Sequence, residues 1–524
     1  MGSSPIERNP LHLCFSALHP MSNPSSSPGQ RGSSRSFTEA EWHTCIKVLQ
    51  VLSRNPDAAL DVMTLKGLVT KLSRNAKKRQ RLEAGLADRE IVAETSLWKA
   101  NAALNHPMLR AAPQPCALAS EADDDAEAGE EPEHEQKSGA VVAQRRLHTP
   151  RPCYVCKKLF SEVHHHYHMH CPACAEVNYQ KRFQRVDLAG RTALLTGGRI
   201  KIGYQMALRL LRDGARVIVT SRFPQDAASR FGREPDFAAW SERLRIYGLD
   251  LRNLPVVERF AEHLAQTLPQ GIDILINNAA QTIRRQPAFY EHLRTGETES
   301  LPAALASLIG SAAPYAALAD RSATPSPTGS SSLSWATGAT TVDPWCPPGM
   351  LDLDGQQVDL RPENSWSATA TQVSTTELLE AVLINQTAPF IIACRLRPLM
   401  KRSPLRPRFV INVSAMEGQF ARTSKTARHP HTNMAKAALN MFTRTSAADF
   451  ARDDIWMNSV DTGWITDENP FPQKSRTHVE QHFVPPLDAI DGMARLYDPI
   501  VRGITDPASA WHGYFLKDYQ PYAW

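Results

Sequence analysis

The residues with the most telling spacing are two cysteine pairs, Cys153-x-x-Cys156 and Cys171-x-x-Cys174, separated by fourteen residues. Each pair lets two thiolates reach one cation from a single tight turn, and the intervening chain brings the second pair round to close a tetrahedral shell. The expected ligand set is therefore Cys153, Cys156, Cys171 and Cys174 on Zn2+. With no position left for water, such an ion is structural, holding together a segment too small to build its own core. His164, His165, His166, His168 and His170 lie between the pairs and could instead supply ligands. A redox dithiol or buried free thiols are the plainer alternatives.

A second constellation follows. The apolar run Thr192-Ala193-Leu194-Leu195 leads directly into Thr196-Gly197-Gly198-Arg199-Ile200-Lys201-Ile202-Gly203. A helix is expected over 204–213 and a second strand over 216–220. A glycine-rich turn between a strand and a helix N-terminus offers free amides and the helix dipole to a pyrophosphate.

These stations, together with several further on, resemble the short-chain dehydrogenase/reductase family. Thr196, Gly197 and Gly203 are similar to its TGxxxGxG loop, with Lys201 where the second glycine belongs and Ile202 beside it. Asp250 stands where the family has an aspartate beside the adenine, and Asn277-Asn278-Ala279-Ala280 resembles its NNAG strand end. Asn458-Ser459-Val460-Asp461-Thr462-Gly463-Trp464-Ile465-Thr466 is similar to the segment over the nicotinamide carboxamide, with Thr462 in place of proline. The resemblance implies cofactor contacts from these residues, Gly463, Thr466 and Asn278 included. An acidic residue at the end of the second strand would grip the ribose of NAD(H). Here that end reads Thr220-Ser221-Arg222. With Ser221 in place of an acid, and Arg199, Lys201 and Arg222 nearby, NADP(H) is expected over NAD(H); the plain alternative is that Arg222 caps a solvent-facing loop.

The family's catalytic Asn, Ser, Tyr and Lys have three counterparts by resemblance: Asn385, Ser414 at the end of the run Phe409–Val413, and Lys436, which also holds the cofactor in the family. The tyrosine position, four residues before the lysine and on the same helix face, is Thr432. An aliphatic hydroxyl ionises far above the tyrosine reference, so Thr432 is a poor general acid. His429 and His431 lie beside it; either His431 takes the proton-transfer role or both only pack the loop.

The elements that must position these groups imply an α/β architecture, a three-layer, doubly wound parallel sheet of Rossmann type, preceded by a helical segment and the small zinc module. With 524 residues the chain is read in pieces. Residues 1–37 are a Ser-rich, acid-poor tail, which a mitochondrial presequence also resembles. A helical region spans 38–112, opened by a capping box at Thr38 and Glu41 with Trp42, Ile46, Leu49 and Leu52 on one face. An acidic linker covers 113–150, the zinc module 151–185, and the dinucleotide domain 186–524, with a low-complexity insertion at about 285–364. Hydrophobic residues at 42%, charged residues at 22% and a net charge of +5 exclude a fibrous or wholly disordered chain. No apolar run of membrane-crossing length is read. The paired cysteines suit a reducing, cytoplasmic setting. Lys77-Lys78-Arg79 could meet nucleic acid but reads better as a solvated helix face.

Two functions compete. One is an NADP(H)-dependent oxidoreductase acting on a carbonyl or alcohol of a small molecule, with the tyrosine replaced by threonine and, as in many relatives, a homo-oligomeric assembly. The other is a non-catalytic NADP(H)-binding sensor or scaffold whose zinc module contacts a protein partner.

Overall fold

The computed structural model describes residues 37–55, 61–103, 108–109, 145–316, 343–422 and 424–524. The expected tail, most of the acidic linker and the serine run 322–332 lie outside them. The chain divides into two bodies, at Arg81/Leu82.

In the first body, α1 (Glu39–Arg54) opens on the expected capping box, Glu41 N donating to Thr38 Oγ1 and Thr38 N to Glu41 Oε2. None of its residues is buried, and Trp42 is 49% exposed. Helix α2 spans Val62–Ala93.

The second body begins with the end of α2 and α3 (Ser96–Ala103). An antiparallel hairpin follows, β1 (Arg146–Pro152) with β2 (Leu159–Glu162), and then α4 (Pro172–Arg182). Strand β1 thus takes in the last residues of the segment expected to be linker. Asp88 on α2 fixes it, accepting from His148 N (2.7 Å) and Thr149 N (3.1 Å).

The remainder is one eight-stranded sheet: β3 (Thr192–Thr196), β4 (Arg216–Ser221), β5 (Leu244–Gly248), β6 (Ile274–Asn277), β7 (Arg408–Ser414), β8 (Ile455–Asp461), β9 (Phe515–Lys517) and β10 (Gln520–Tyr522). Their spatial order is β10-β9-β8-β7-β6-β3-β4-β5, parallel throughout except β10. The first strand lies mid-sheet with the chain winding outward to both sides, so the order reverses between β3 and β6. That crevice, at the carboxyl ends of the strands, is where a doubly wound sheet binds its ligand.

The strands read as unbroken apolar runs because both faces are covered. Alternate residues divide between two cores. Ala193, Leu195, Val217 and Val219 pack under α5 (Lys201–Arg212), α6 (Pro224–Phe231) and α11 (Ala489–Thr505). Leu194, Ile218, Leu275 and Val410 pack under α7 (Leu254–Thr267), α9 (Ala388–Arg402) and α10 (Pro430–Ala451). Helix α8 (Thr375–Val382) joins α9 through a π-turn, Leu383–Thr387. Contrary to the sequence expectation, this 28-residue run is long and apolar enough to cross a bilayer. Its Ile392, Leu396 and Leu399 lie in the core beneath the sheet, as in a core helix.

The described part of the expected low-complexity insertion is folded. Arg285 pairs with Asp359 (2.8 Å), Cys346 is buried, and Met350–Leu351 pairs with Met108–Leu109.

Candidate functional site

The turn after β3 lies in the crevice and is built by close backbone approach. Gly197 has φ +73°, and a Cβ there would meet Ala279 at 2.9 Å. A Cβ on Gly203 would fall 2.1 Å from Gly197 O and 2.5 Å from Asn278 Nδ2. Asn278 Nδ2 donates to Thr196 O (3.0 Å) and Gly197 O (2.9 Å), while the Thr196 hydroxyl accepts from the amides of Asn278 and Ala279. The turn is therefore tied to the end of β6. Lys201 opens α5 in the left-handed region, φ +53°, where glycine is at ease and lysine is strained. Its side chain reaches Glu468 (4.0 Å) and is 37% exposed, with Ile202 half-buried behind it.

Arg199, expected as a cation near the adenosine end of the cofactor, is turned into the protein. It is buried, donating to Asp226 (2.7 Å) and to Gln356 (2.8 Å) from the insertion. Ser221 closes β4, its hydroxyl folded back on the Phe223 backbone. Arg222 beyond it is exposed, stacked on Tyr290 with 4.7 Å to the ring centroid, and has no carboxylate in ion-pair range among the described residues. Asp250 is held by Arg252, which also donates to Glu380 (3.2 Å). Glu380, buried and bonded in addition to Gln281 (3.0 Å) and Arg284 (3.1 Å), is a hub that no local motif announces.

Asn385 sits on the π-turn, buried, accepting from Gln281 N (2.7 Å) and donating to Gln281 O (3.0 Å). Such bulges recur at functional sites because they turn a side chain inward. Ser414 ends β7 and donates to Asn440 Oδ1 (2.6 Å). The sequence reading missed Asn440, although positions 432, 436 and 440 share one face of α10. Lys436 donates to Val413 O (2.7 Å), and burial pushes its pKa down to about 8. Thr432 donates to His429 O (2.9 Å), so its hydroxyl is engaged within its own helix turn.

The histidines are drawn elsewhere. His431 is buried facing α8, its Nε2 3.4 Å from Glu377. No hydrogen bond among the described residues joins it to Ser414 or Lys436, because it lies about 100° round the helix from Thr432. His429 stacks on Trp366 at 3.9 Å with its Nδ1 3.0 Å from Asn433 Oδ1.

At the end of β8, Asp461 is buried, accepts from Met416 N (3.1 Å), and is pushed up to about 6 by its desolvation. Gly463 turns the chain at φ +78°, and Trp464 Nε1 donates to Thr466 O (3.1 Å).

The four cysteine sulfurs lie within 4.8 Å of one another, and no histidine among the described residues joins the cluster. A tetrahedron of Zn–S bonds of about 2.3 Å has edges of about 3.8 Å; Cys156 and Cys171 sulfurs are 3.7 Å apart. The donor set fits zinc. Burial pushes His168 down to about 4 and His170 to about 3, so these rings pack neutral.

Residues 191–300 match the family model "short chain dehydrogenase", and 362–483 match "Enoyl-(Acyl carrier protein) reductase". An uncharacterized protein of Acanthamoeba polyphaga mimivirus is 33% identical over 380 residues, 70% of this chain and 74% of that one. WW domain-containing oxidoreductase of Drosophila melanogaster is 39% identical over 94 residues, 18% of this chain and 23% of its own. The Pseudomonas aeruginosa RhlG/NADP active-site complex aligns with 63% of this chain and 95% of its own at 18% identity, with a TM-score of 0.40. With the turn, the Asn-Asn strand end and the Ser–Lys pair all assembled on one parallel sheet, the chain belongs to the short-chain dehydrogenase/reductase family of oxidoreductases.

Proposed function

We propose that the protein is an NADP(H)-dependent oxidoreductase acting on a carbonyl or alcohol, in which Lys436 itself carries the proton that a tyrosine handles elsewhere in the family. The preference for NADP(H) rests on Arg222, exposed at the end of β4 where no acid stands; Arg199, already paired with Asp226, adds nothing. When bound, the cofactor supplies the hydride equivalent. The chain supplies the rest. Thr196, Gly197, Gly203 and Asn278 shape the turn, Lys201 offers a cation at its lip, and Gly463 to Thr466 cover the far side. The Ser414 proton turns about its C–O bond from Asn440 towards a substrate oxygen. The observation that carries the reading is the part-buried Lys436, its ammonium bonded to Val413 O (2.7 Å) next to Ser414 in the chain, while Thr432 and both histidines are otherwise engaged. We also assign structural zinc to Cys153, Cys156, Cys171 and Cys174.

The test is NADPH oxidation by the purified chain against a panel of aldehydes and ketones. Turnover that Lys436→Ala lowers by at least a hundredfold is expected, the scale of general acid catalysis; retention within about threefold overturns the assignment. A second reading, a non-catalytic NADP(H)-binding scaffold, draws on the Thr432 hydroxyl being closed into its own helix. Tight NADPH binding without turnover would favour it.

A further inference from the structure

The knuckle between the first two cysteines carries Tyr154, which metal coordination does not require. Its phenolic oxygen accepts the N–H of Trp464 (2.9 Å). That oxygen is also 3.3 Å from where a Cβ on Gly463 would stand, and Leu487 is 2.4 Å from the same point. The loop after β8 is thus packed against both the module and the segment leading into α11. Trp464 then holds Thr466 through its ring nitrogen, and its ring lies tilted against Phe483 with centroids 4.7 Å apart.

The module is braced independently. Cys171 is the N-cap of α4 and Cys174 lies in its first turn. Further along that helix, Asn178 accepts from Arg495 (2.8 Å) and Arg182 donates to Asp488 and Asp491 (2.8 Å each). One half of the cysteine cluster is therefore anchored to α11, while the other half presents Tyr154 to the loop. Were the metal only a folding staple, no side chain from its knuckle need reach the cofactor cleft.

We propose that the four-cysteine module is a strut for the loop after β8, with Tyr154 as its positioning residue, so that metal occupancy sets the order of Gly463–Thr466 and through it the affinity for the nicotinamide nucleotide. The affinity part rests on the NADP(H) reading above. Loss of one such hydrogen bond shifts an equilibrium by about two- to tenfold, which is the effect expected here.

The full-length chain is compared in three states: zinc-loaded, stripped with a chelator and then re-supplied with zinc, and Tyr154→Phe. Hydrogen exchange of peptides spanning 462–468 is followed without nucleotide, and NADPH is then titrated by fluorescence. Tyr154→Phe should retain one zinc yet exchange the Trp464 amide faster and bind NADPH about two- to tenfold more weakly. Stripping should do the same to the wild-type chain, and zinc should restore the wild-type chain but not Tyr154→Phe. Unchanged exchange at 462–468 in both comparisons overturns the strut. If Tyr154→Phe loses its zinc, the stripped and re-supplied wild-type chain decides by exchange alone. A wild-type chain that binds no NADPH overturns the cofactor reading and the affinity part with it, while the exchange result still decides the strut.

Discussion

Lys436 gives the site a pH signature with a definite sign. Burial lowers its pKa to about 8, so the ammonium predominates below that pH and the amine above it. Carbonyl reduction needs the proton donor; its kcat/KM should be level below about pH 8 and fall roughly tenfold per unit above. Alcohol oxidation needs the amine and should rise to the same break. A profile flat to pH 10 in both directions would remove Lys436 from proton transfer. Gly203 is the other residue with a sharp expectation. A methyl group there must displace the Gly197 carbonyl, 2.1 Å away, and the Asn278 amide, 2.5 Å away, so Gly203→Ala should weaken NADPH binding at least tenfold by fluorescence titration. Overpacking of this kind also costs about 1–3 kcal/mol of stability. At this scale the positions of the turn, Ser414 and Lys436 in the fold were legible because each occupies a fixed place in a strand-turn-helix unit. The direction of His431 was not, since adjacency in sequence does not say which way a helix turns a side chain, and Glu377 comes from a different helix.

Between elements, a line of buried polar groups ties the sheet to the helix bearing Lys436. Asn277 on β6 donates to Asn412 on β7 (2.8 Å), Asn412 donates to Thr443 on α10 (2.9 Å), and Ser459 on β8 donates to Thr443 (2.8 Å). This chain of bonds fixes the register of α10 over β7. Each buried group left without a partner costs about 1–3 kcal/mol. Asn412→Ala orphans Asn277 Nδ2 and one bond of Thr443, and should lower stability by about 2–4 kcal/mol in urea unfolding; a change under about 1 kcal/mol would mean the line is not coupling the elements. The central strands were readable as continuous apolar runs because helices cover both faces. The insertion misled for a related reason. Its composition is that of loops, yet Arg285 and Arg361 form an ionic knot around the buried Asp359, and Gln356 closes over Arg199. Ordering there comes from pairings with distant residues that composition does not register.

Across the whole second body, the contact between the cysteine module and α11 joins residues more than 300 positions apart, which no local pattern could disclose. Arg182 carries it. Its guanidinium, 9% exposed, bridges Asp488 and the fully buried Asp491, and Asp488 is also the N-cap of α11. Removing one partner of a buried ion pair costs about 3–5 kcal/mol, because the remaining charge stays desolvated. Tyr167, which donates to Asp491 (2.5 Å), softens the loss towards the lower end. Arg182→Met keeps the apolar stem and deletes the charge, so it isolates the ionic term. In the wild-type chain, release of zinc to an indicator dye and loss of helix signal on heating should coincide, since module and sheet share this buried network. In Arg182→Met, zinc release should move to clearly lower temperature and precede melting of the sheet, and adding Asp491→Asn should recover part of the difference by removing the stranded carboxylate. Should zinc leave the wild-type chain well before the sheet melts, the module is an appendage, and its hold on the loop after β8 is too weak to govern the cleft.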